Sequence, residues 1–311
     1  MNTDRREFLK KVFIGGAAVT LSGSWLNLFA KEDVDVLTIL HTNDTHSRID
    51  PYPPNDPNYP GMGGYSRRAA LINNVRGRSK NFLLVDAGDI FQGTPYYNVY
   101  GGEPELKLMS KMGYDAATVG NHEFDNGLDG FLEVIDYAKF PFVSSNYDFS
   151  ETVVKGKIKP YKILEKGDFK IGIYGLGIEL KGLVSKNLYG KTRYIDPVKA
   201  ACETEAILKN KYNCNLIICL SHLGYKYDNE QVSDKIIAGK TQYTNIIIGG
   251  HTHDVLDPAA EINNIKGNTV YIGQAGYAGV KVGRMDVYLN KNDQQIFVES
   301  NTTKILKNQE A

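Results

Sequence analysis

Five of the six histidines in this chain sit in four short runs rich in metal-ligating side chains: Asn43-Asp44-Thr45-His46, Gly120-Asn121-His122-Glu123, Ser221-His222-Leu223-Gly224 and Gly250-His251-Thr252-His253. A fifth run, Asp86-Ala87-Gly88-Asp89, adds a carboxylate. Most of these runs directly follow a short apolar stretch that reads as a buried strand. Few folds accommodate that arrangement, because ligands at successive strand ends converge only along one edge of a sheet. A His/Asp/Asn set gathered there is the donor set of a two-metal hydrolytic site.

The apolar stretches also set the expected fold class. Strands are expected at 34–40, 82–85, 116–119, 141–144, 170–176, 216–220 and 244–248. Between them, 66–75, 103–112 and 197–209 read as helices; the second has Pro104 in its first turn and Gly113 just past its end. Residues 51–64, with five prolines and three glycines, read as a loop. Alternating strands and helices argue an α/β fold. The strand-rich end (269–272, 281–289, 295–299) is expected to be antiparallel, which makes the sheet mixed. No repeat, low-complexity block or linker interrupts 31–311, which is expected to form one domain.

Residues 1–30 read as an export signal. Arg5-Arg6 precedes Glu7-Phe8-Leu9-Lys10 and an apolar, Gly/Ala-rich stretch at 12–30, a pattern that resembles the twin-arginine signal. Gly15, Gly16, Ser22, Gly23 and Ser24 weaken the stretch as a permanent anchor. Leu28-Phe29-Ala30 ends in Ala but has no small residue at Leu28, so cleavage and retention as a membrane anchor both stay open. The expected location is periplasmic or otherwise extracytoplasmic, with the twin-arginine export machinery as a partner. Lys plus Arg and Asp plus Glu number 36 each. That balance speaks against binding a nucleic-acid polymer through bulk charge and leaves any pull on an anion to local charge. Cys202, Cys214 and Cys219 form no metal-binding pattern and read as free thiols; Cys214 and Cys219 bracket one apolar run and would point to opposite faces of a strand.

Each run has its own chemistry. Asp44 and His46 would lie on the same side of an extended segment. Gly88 would allow a sharp turn that brings the two-oxygen carboxylate of Asp89 into the site. Asn121 offers a neutral amide oxygen. His122 can supply a proton, with Asp125 three residues on to orient its ring. His222 follows its strand directly, and Gly249-Gly250 would let the backbone turn tightly before His251 and His253. Any one run also fits a capped turn or a polar loop. Together they leave only His41 outside, which independent structural histidines are not expected to do.

The ordered series Asp44-x-His46, Gly88-Asp89, Gly120-Asn121-His122-Glu123, His222 and Gly250-His251-x-His253 resembles the calcineurin-like metallophosphoesterases. Longer phrases, His41-Thr42-Asn43-Asp44-Thr45-His46, Gly88-Asp89-Ile90-Phe91-Gln92-Gly93, Asn121-His122-Glu123-Phe124-Asp125 and Leu220-Ser221-His222-Leu223-Gly224, are similar to the 5′-nucleotidase branch. The resemblance implies a four-layer α/β sandwich, with two mixed β-sheets flanked by helices. It implies two divalent metal ions (Zn, Mn, Fe or Co), one held by Asp44, His46 and His253 and the other by Asn121, His222 and His251, with Asp89 bridging. His122, oriented by Asp125, would contact the substrate phosphate and assist the leaving group. The implied activity is hydrolysis of nucleoside monophosphates by a metal-bound hydroxide.

Members of that branch continue into a second domain that binds the nucleoside, and these 311 residues carry no equivalent. A separately encoded nucleotide-binding chain could supply it. Tyr96, Tyr97 and Tyr100 could instead offer stacking surface near the site, or serve as core and loop aromatics. Alternative activities are 2′,3′-cyclic-nucleotide phosphodiesterase and sulfur-ester (thiosulfo) hydrolase. An inactive binding or scaffold member of the fold would be expected to lack a ligand, and none of the seven is missing.

Overall fold

Both faces of the central strands are buried, and their alternate residues feed different layers. The computed structural model describes residues 34–307, and the expected export segment at 1–30 lies outside the described residues. The strands are β1 Val34–Thr42, β2 Asn81–Asp86, β3 Ala116–Thr118, β4 Phe142–Val143, β5 Tyr147–Asp148, β6 Tyr161–Lys166, β7 Phe169–Gly177, β8 Arg193–Tyr194, β9 Leu216–His222, β10 Ile246–Gly249, β11 Ala260–Asn263, β12 Thr269–Gly273, β13 Lys281–Asn290 and β14 Ile296–Lys304. The helices are α1 Tyr65–Arg78, α2 Pro95–Tyr100, α3 Glu103–Met112, α4 Gly127–Ile135, α5 Lys186–Tyr189, α6 Pro197–Ala206 and α7 Asp234–Lys240.

Two six-stranded sheets result, ordered β14-β13-β1-β2-β3-β4 and β11-β12-β10-β9-β7-β6. Both are mixed: β1, β2, β3 and β4 run parallel in the first, and β7, β9, β10 and β12 in the second, with antiparallel strands at the edges. Leu216, Ile218 and Leu220 of β9 enter the layer between the sheets, facing Leu37, Ile39, Leu83 and Val85 of the first sheet. Ile217 and Cys219 point the other way, under α6 and α7. Leu40 and Leu84 pack outward against the layer of α1, α3 and α4. The arrangement is an α/β sandwich of two mixed sheets flanked by helices, and full burial on both faces is why its parallel strands read as continuous apolar runs.

Several expectations need correction. Residues 269–272 are not part of an antiparallel tail. They form β12, which pairs parallel with β10 and antiparallel with β11; only β13 and β14 form an antiparallel pair at the end, and β13 lies against β1. Val270, Tyr271 and Ile272 are all buried, as a parallel strand covered on both faces requires. Cys214 and Cys219 do not face opposite layers. The strand starts only at Leu216, so both thiols enter the same apolar cluster, unbonded. The sixth histidine, His41, is a core residue. Its ring fills the space left by two glycines: a Cβ on Gly283 would overlap its Nε2, and one on Gly273 would lie 3.1 Å from the same atom.

Candidate metal centre

The parallel strands β1, β2, β3, β9 and β10 end on one rim of the sandwich. Asp44 and His46 follow β1, Asp89 follows β2, Asn121 and His122 follow β3, His222 closes β9, and His251 and His253 follow β10. Ligand atoms of Asp44, His46 and His253 lie within 4.8 Å of one another, as do those of Asp89, His222 and His251. A third overlapping group, His46, Asp89 and His122, ties the two together. The structure thus holds two adjacent candidate metal-binding clusters. Asn121 belongs to the same place, with Oδ1 2.9 Å from His251 Nδ1. His122 Nδ1 lies 2.8 Å from Asp125 Oδ2, a contact set by the short 3-10 turn His122–Phe124. All nine residues named from the sequence therefore gather at one site.

The backbone reaches this geometry differently from the expectation. Asp44 and His46 are not in an extended segment: their φ values are 49° and 45°, and those of Asp89, His251 and His253 are 55°, 73° and 56°. Five non-glycine residues in the left-handed region amount to concentrated local strain, which persists only where surrounding contacts over-determine it. Here Asp44 N donates to Gly88 O at 2.9 Å, His46 N to Asp89 O at 3.1 Å and Ala278 N to Asp44 O at 2.7 Å. The glycines before His251 act through size rather than φ. A Cβ on Gly250 would lie 2.9 Å from His222 Nδ1 and 3.0 Å from Asp44 Oδ2. Gly88 does both, with φ 89° and a Cβ position 2.7 Å from Gly120 N.

Protons and positive charge compete for the same atoms. His222 Nε2 is 3.0 Å from Asp89 Oδ2 and 3.8 Å from Asp44 Oδ1. Burial lowers the His222 pKa, but Asp89 and Asp44 outweigh it and push it to about 10. Burial raises the Asp89 carboxyl, while His222 and His46 together hold it below the usual carboxylate range. Burial, reinforced by His222, lowers His251 to about 4. At His122 burial is overcome by the Asp125 hydrogen bond and the Asp89 charge, which push the ring up to about 8. The donor set also fits a cation directly. All of its donors are N or O, and His222, with Nδ1 engaged by Ala87 O at 2.7 Å, turns its buried Nε2 toward Asp89 Oδ2. A cation there requires neutral histidines, so affinity would fall with falling pH.

Three supporting residues carry weaker sequence signals. Glu123, fully buried, accepts from Asp89 N at 3.0 Å, Ile90 N at 2.8 Å and Gly120 N at 2.6 Å, so one carboxylate pins two loops that carry candidate ligands. Asn43 donates to Gly276 O and accepts from Ala275 N, both at 2.8 Å, which sews the loop after β12 to the end of β1. That loop carries Tyr277, whose ring centroid is 4.7 Å from His253 and 5.1 Å from His46. The tyrosines considered from the sequence lie elsewhere: Tyr97 is buried against Phe91, Tyr96 bonds Asp50, and Tyr100 is exposed on α2.

Residues 37–255 match the calcineurin-like phosphoesterase family, and the chain belongs to it. Among its relatives, the snake venom 5′-nucleotidase of Crotalus adamanteus is 32% identical over 294 residues, which cover 88% of this chain and 48% of that protein. The trifunctional nucleotide phosphoesterase protein YfkN of Bacillus subtilis is 34% identical over 284 residues, 81% of this chain and 18% of that one. The chain thus spans about half, or less, of the length of these curated relatives. Among solved structures, the 5′-nucleotidase precursor from Thermus thermophilus superposes with a TM-score of 0.80 at 31% identity, over 88% of this chain and 55% of that one. The calcineurin-like phosphoesterase YfkN structure from Bacillus subtilis gives 0.73 at 28% identity, over 88% and 92%. The chain is thus a member of the calcineurin-like phosphoesterase family, related to the 5′-nucleotidases, and carries two candidate metal-binding clusters.

Proposed function

We propose that the protein is an exported dinuclear-metal phosphoesterase that hydrolyses nucleoside monophosphates as a 5′-nucleotidase does. The observation that carries the reading is the pairing of two ligand clusters side by side with the His122–Asp125 pair at their junction. The nucleotide substrate is supported by the names of the relatives, 5′-nucleotidase and nucleotide phosphoesterase. Asp44, His46 and His253 would hold one divalent cation and Asn121, His222 and His251 the other, with Asp89 between them. When bound, the pair would supply Lewis acidity toward a phosphoryl oxygen and an acidified water.

The chain's own residues do the rest. Asp125 fixes His122 through Nδ1, which leaves Nε2 as the nitrogen available to substrate. A ring so oriented can present an Nε2 proton to the departing ester oxygen. Donors fixed at the position where charge develops contribute without reorganising. Co-purification and reconstitution decide whether base recognition requires a separately encoded chain.

The test is hydrolysis of AMP, a 2′,3′-cyclic nucleotide and p-nitrophenyl phosphate in parallel, by residues 31–311 with Mn²⁺ or Zn²⁺ added. Preference for AMP is the expected result. Preference for the cyclic ester would replace the reading by a phosphodiesterase. Failure on all three, with thiosulfonate cleavage present, would replace it by sulfur-ester hydrolysis. No hydrolysis of any ester by metal-loaded protein would leave a binding member of the fold.

A further inference from the structure

The candidate ligand histidines are not held alike. His222 is fully buried with Nδ1 2.7 Å from Ala87 O, and His46 is buried with Nδ1 3.3 Å from Phe91 O. His251 Nδ1 lies 2.9 Å from Asn121 Oδ1. His253 is the exception. Its side chain is 40% exposed, and among the described residues its polar contacts run through Nε2, to His46 Nε2 and to Asp44 Oδ1, each at 3.3 Å. The contacts on its ring are aromatic. Tyr277 lies against it with ring centroids 4.7 Å apart and an interplanar angle of 38°, and His46 meets it edge-on at 5.3 Å. Tyr277 also packs on His46, at 5.1 Å, and belongs to no apolar cluster. Its loop is fixed on both sides of the ring: Ala278 N donates to Asp44 O at 2.7 Å, Gly276 N to Asp254 O at 2.9 Å and Asn43 Nδ2 to Gly276 O at 2.8 Å. A pinned loop thus delivers one ring to both histidines of the first cluster.

We infer that Tyr277 is a positioning residue for the first cluster: its ring holds the His253 imidazole in the orientation that binds a cation. At the other histidines a hydrogen bond at Nδ1 performs that task, which is the usual way a ligating ring is oriented. The inference rests on the dinuclear reading above. An exposed imidazole loses rotamer freedom when it ligates, and a ring already fixed beside it makes that loss smaller at the moment of binding. The contact is one of ring faces, so the aromatic surface of Tyr277 matters and its hydroxyl does not. Removing the ring therefore weakens the first cluster selectively, because His222 and His251 keep their own polar partners.

The experiment is calorimetric titration of the cation-stripped protein with Mn²⁺. The wild type is expected to bind in two steps, and His253→Ala, which removes a candidate ligand of the first cluster, marks the step that belongs to it. Tyr277→Leu is expected to raise the Kd of that same step about tenfold and to leave the other within about twofold. Tyr277→Phe, which keeps the ring, is expected to match the wild type at both steps. In the His253→Ala background, Tyr277→Leu is expected to add nothing, because its effect passes through the missing imidazole. Melting of the cation-free proteins checks the fold, and Tyr277→Met takes the place of the leucine variant if that one melts early. Unchanged binding in Tyr277→Leu, equal weakening of both steps, or an undiminished effect in the His253→Ala background overturns the inference. So does a loss in Tyr277→Phe as large as that in Tyr277→Leu. A wild type that binds one cation fails the dinuclear reading by itself; the inference then stands if that step weakens in both His253→Ala and Tyr277→Leu, and falls if it ignores either. Absence of any cation binding overturns both.

Discussion

His41 offers a quantitative test of the packing described here. Its ring is buried between β12 and β13 in the space left by Gly273 and Gly283, and its Nδ1 has no hydrogen-bond partner. Burial alone lowers its pKa from 6.5 to about 4. A histidine depressed in the folded state takes up its proton first in the unfolded chain. Its contribution is therefore intact above pH 6.5 and is lost progressively as pH falls from 6.5 to about 4. A gap of 6.5 minus about 4, at ~1.4 kcal/mol per unit, corresponds to about 3 kcal/mol. Other groups titrate on acidification as well, so the informative quantity is a difference between two proteins. His41→Phe fills similar space without titrating. Denaturant unfolding at pH 7 and pH 4, cations chelated in both proteins, should show the wild type losing about 3 kcal/mol more than the variant. Equal losses would show that the imidazole is hydrated or paired in the folded protein and would refute the assignment of a dry slot.

Further outcomes concern the site. Glu123→Ala leaves the amides of Asp89, Ile90 and Gly120 without their acceptor, so stability should fall by roughly 3 kcal/mol or more and turnover should fall with it; a thermal melt within about a degree of wild type would contradict that. Gly88→Ala places a methyl 2.7 Å from Gly120 N at φ 89°, and metal analysis should find less than full occupancy in a protein that still folds. Replacing Arg5 and Arg6 by Lys should retain the protein in the cytoplasm on cell fractionation; unchanged export would remove the twin-arginine proposal.

What could be read from the sequence, and what could not, follows from how each feature is encoded. The gathering of the candidate histidines and aspartates at one rim was legible because an apolar run followed by a donor is a local pattern, and the ends of β1, β2, β3, β9 and β10 all obey it. The left-handed conformations of Asp44 and His46 were not, because they are imposed by hydrogen bonds from the loops after β2 and β12. Glu123 stands inside a motif, yet two of the amides it holds, Asp89 N and Ile90 N, belong to the loop after β2, which no spacing reveals. The pairing of β12 with β10 depends on a partner that a five-residue apolar run does not name. Edge strands β6 and β11 mix exposed charged residues with half-buried apolar ones, and so carry little apolar signal. Tyr277 is one aromatic among small residues, and only the folded loop places it on His253.

The central claim is a pair of cations held between two clusters, and anomalous diffraction from crystals grown with Mn²⁺ or Zn²⁺ tests it most directly. The account predicts two peaks roughly 3.5–4 Å apart, one beside Asp44, His46 and His253 and the other beside Asn121, His222 and His251, with Asp89 contacting both. A single peak in crystals of fully active protein, or two peaks away from these residues, would contradict it.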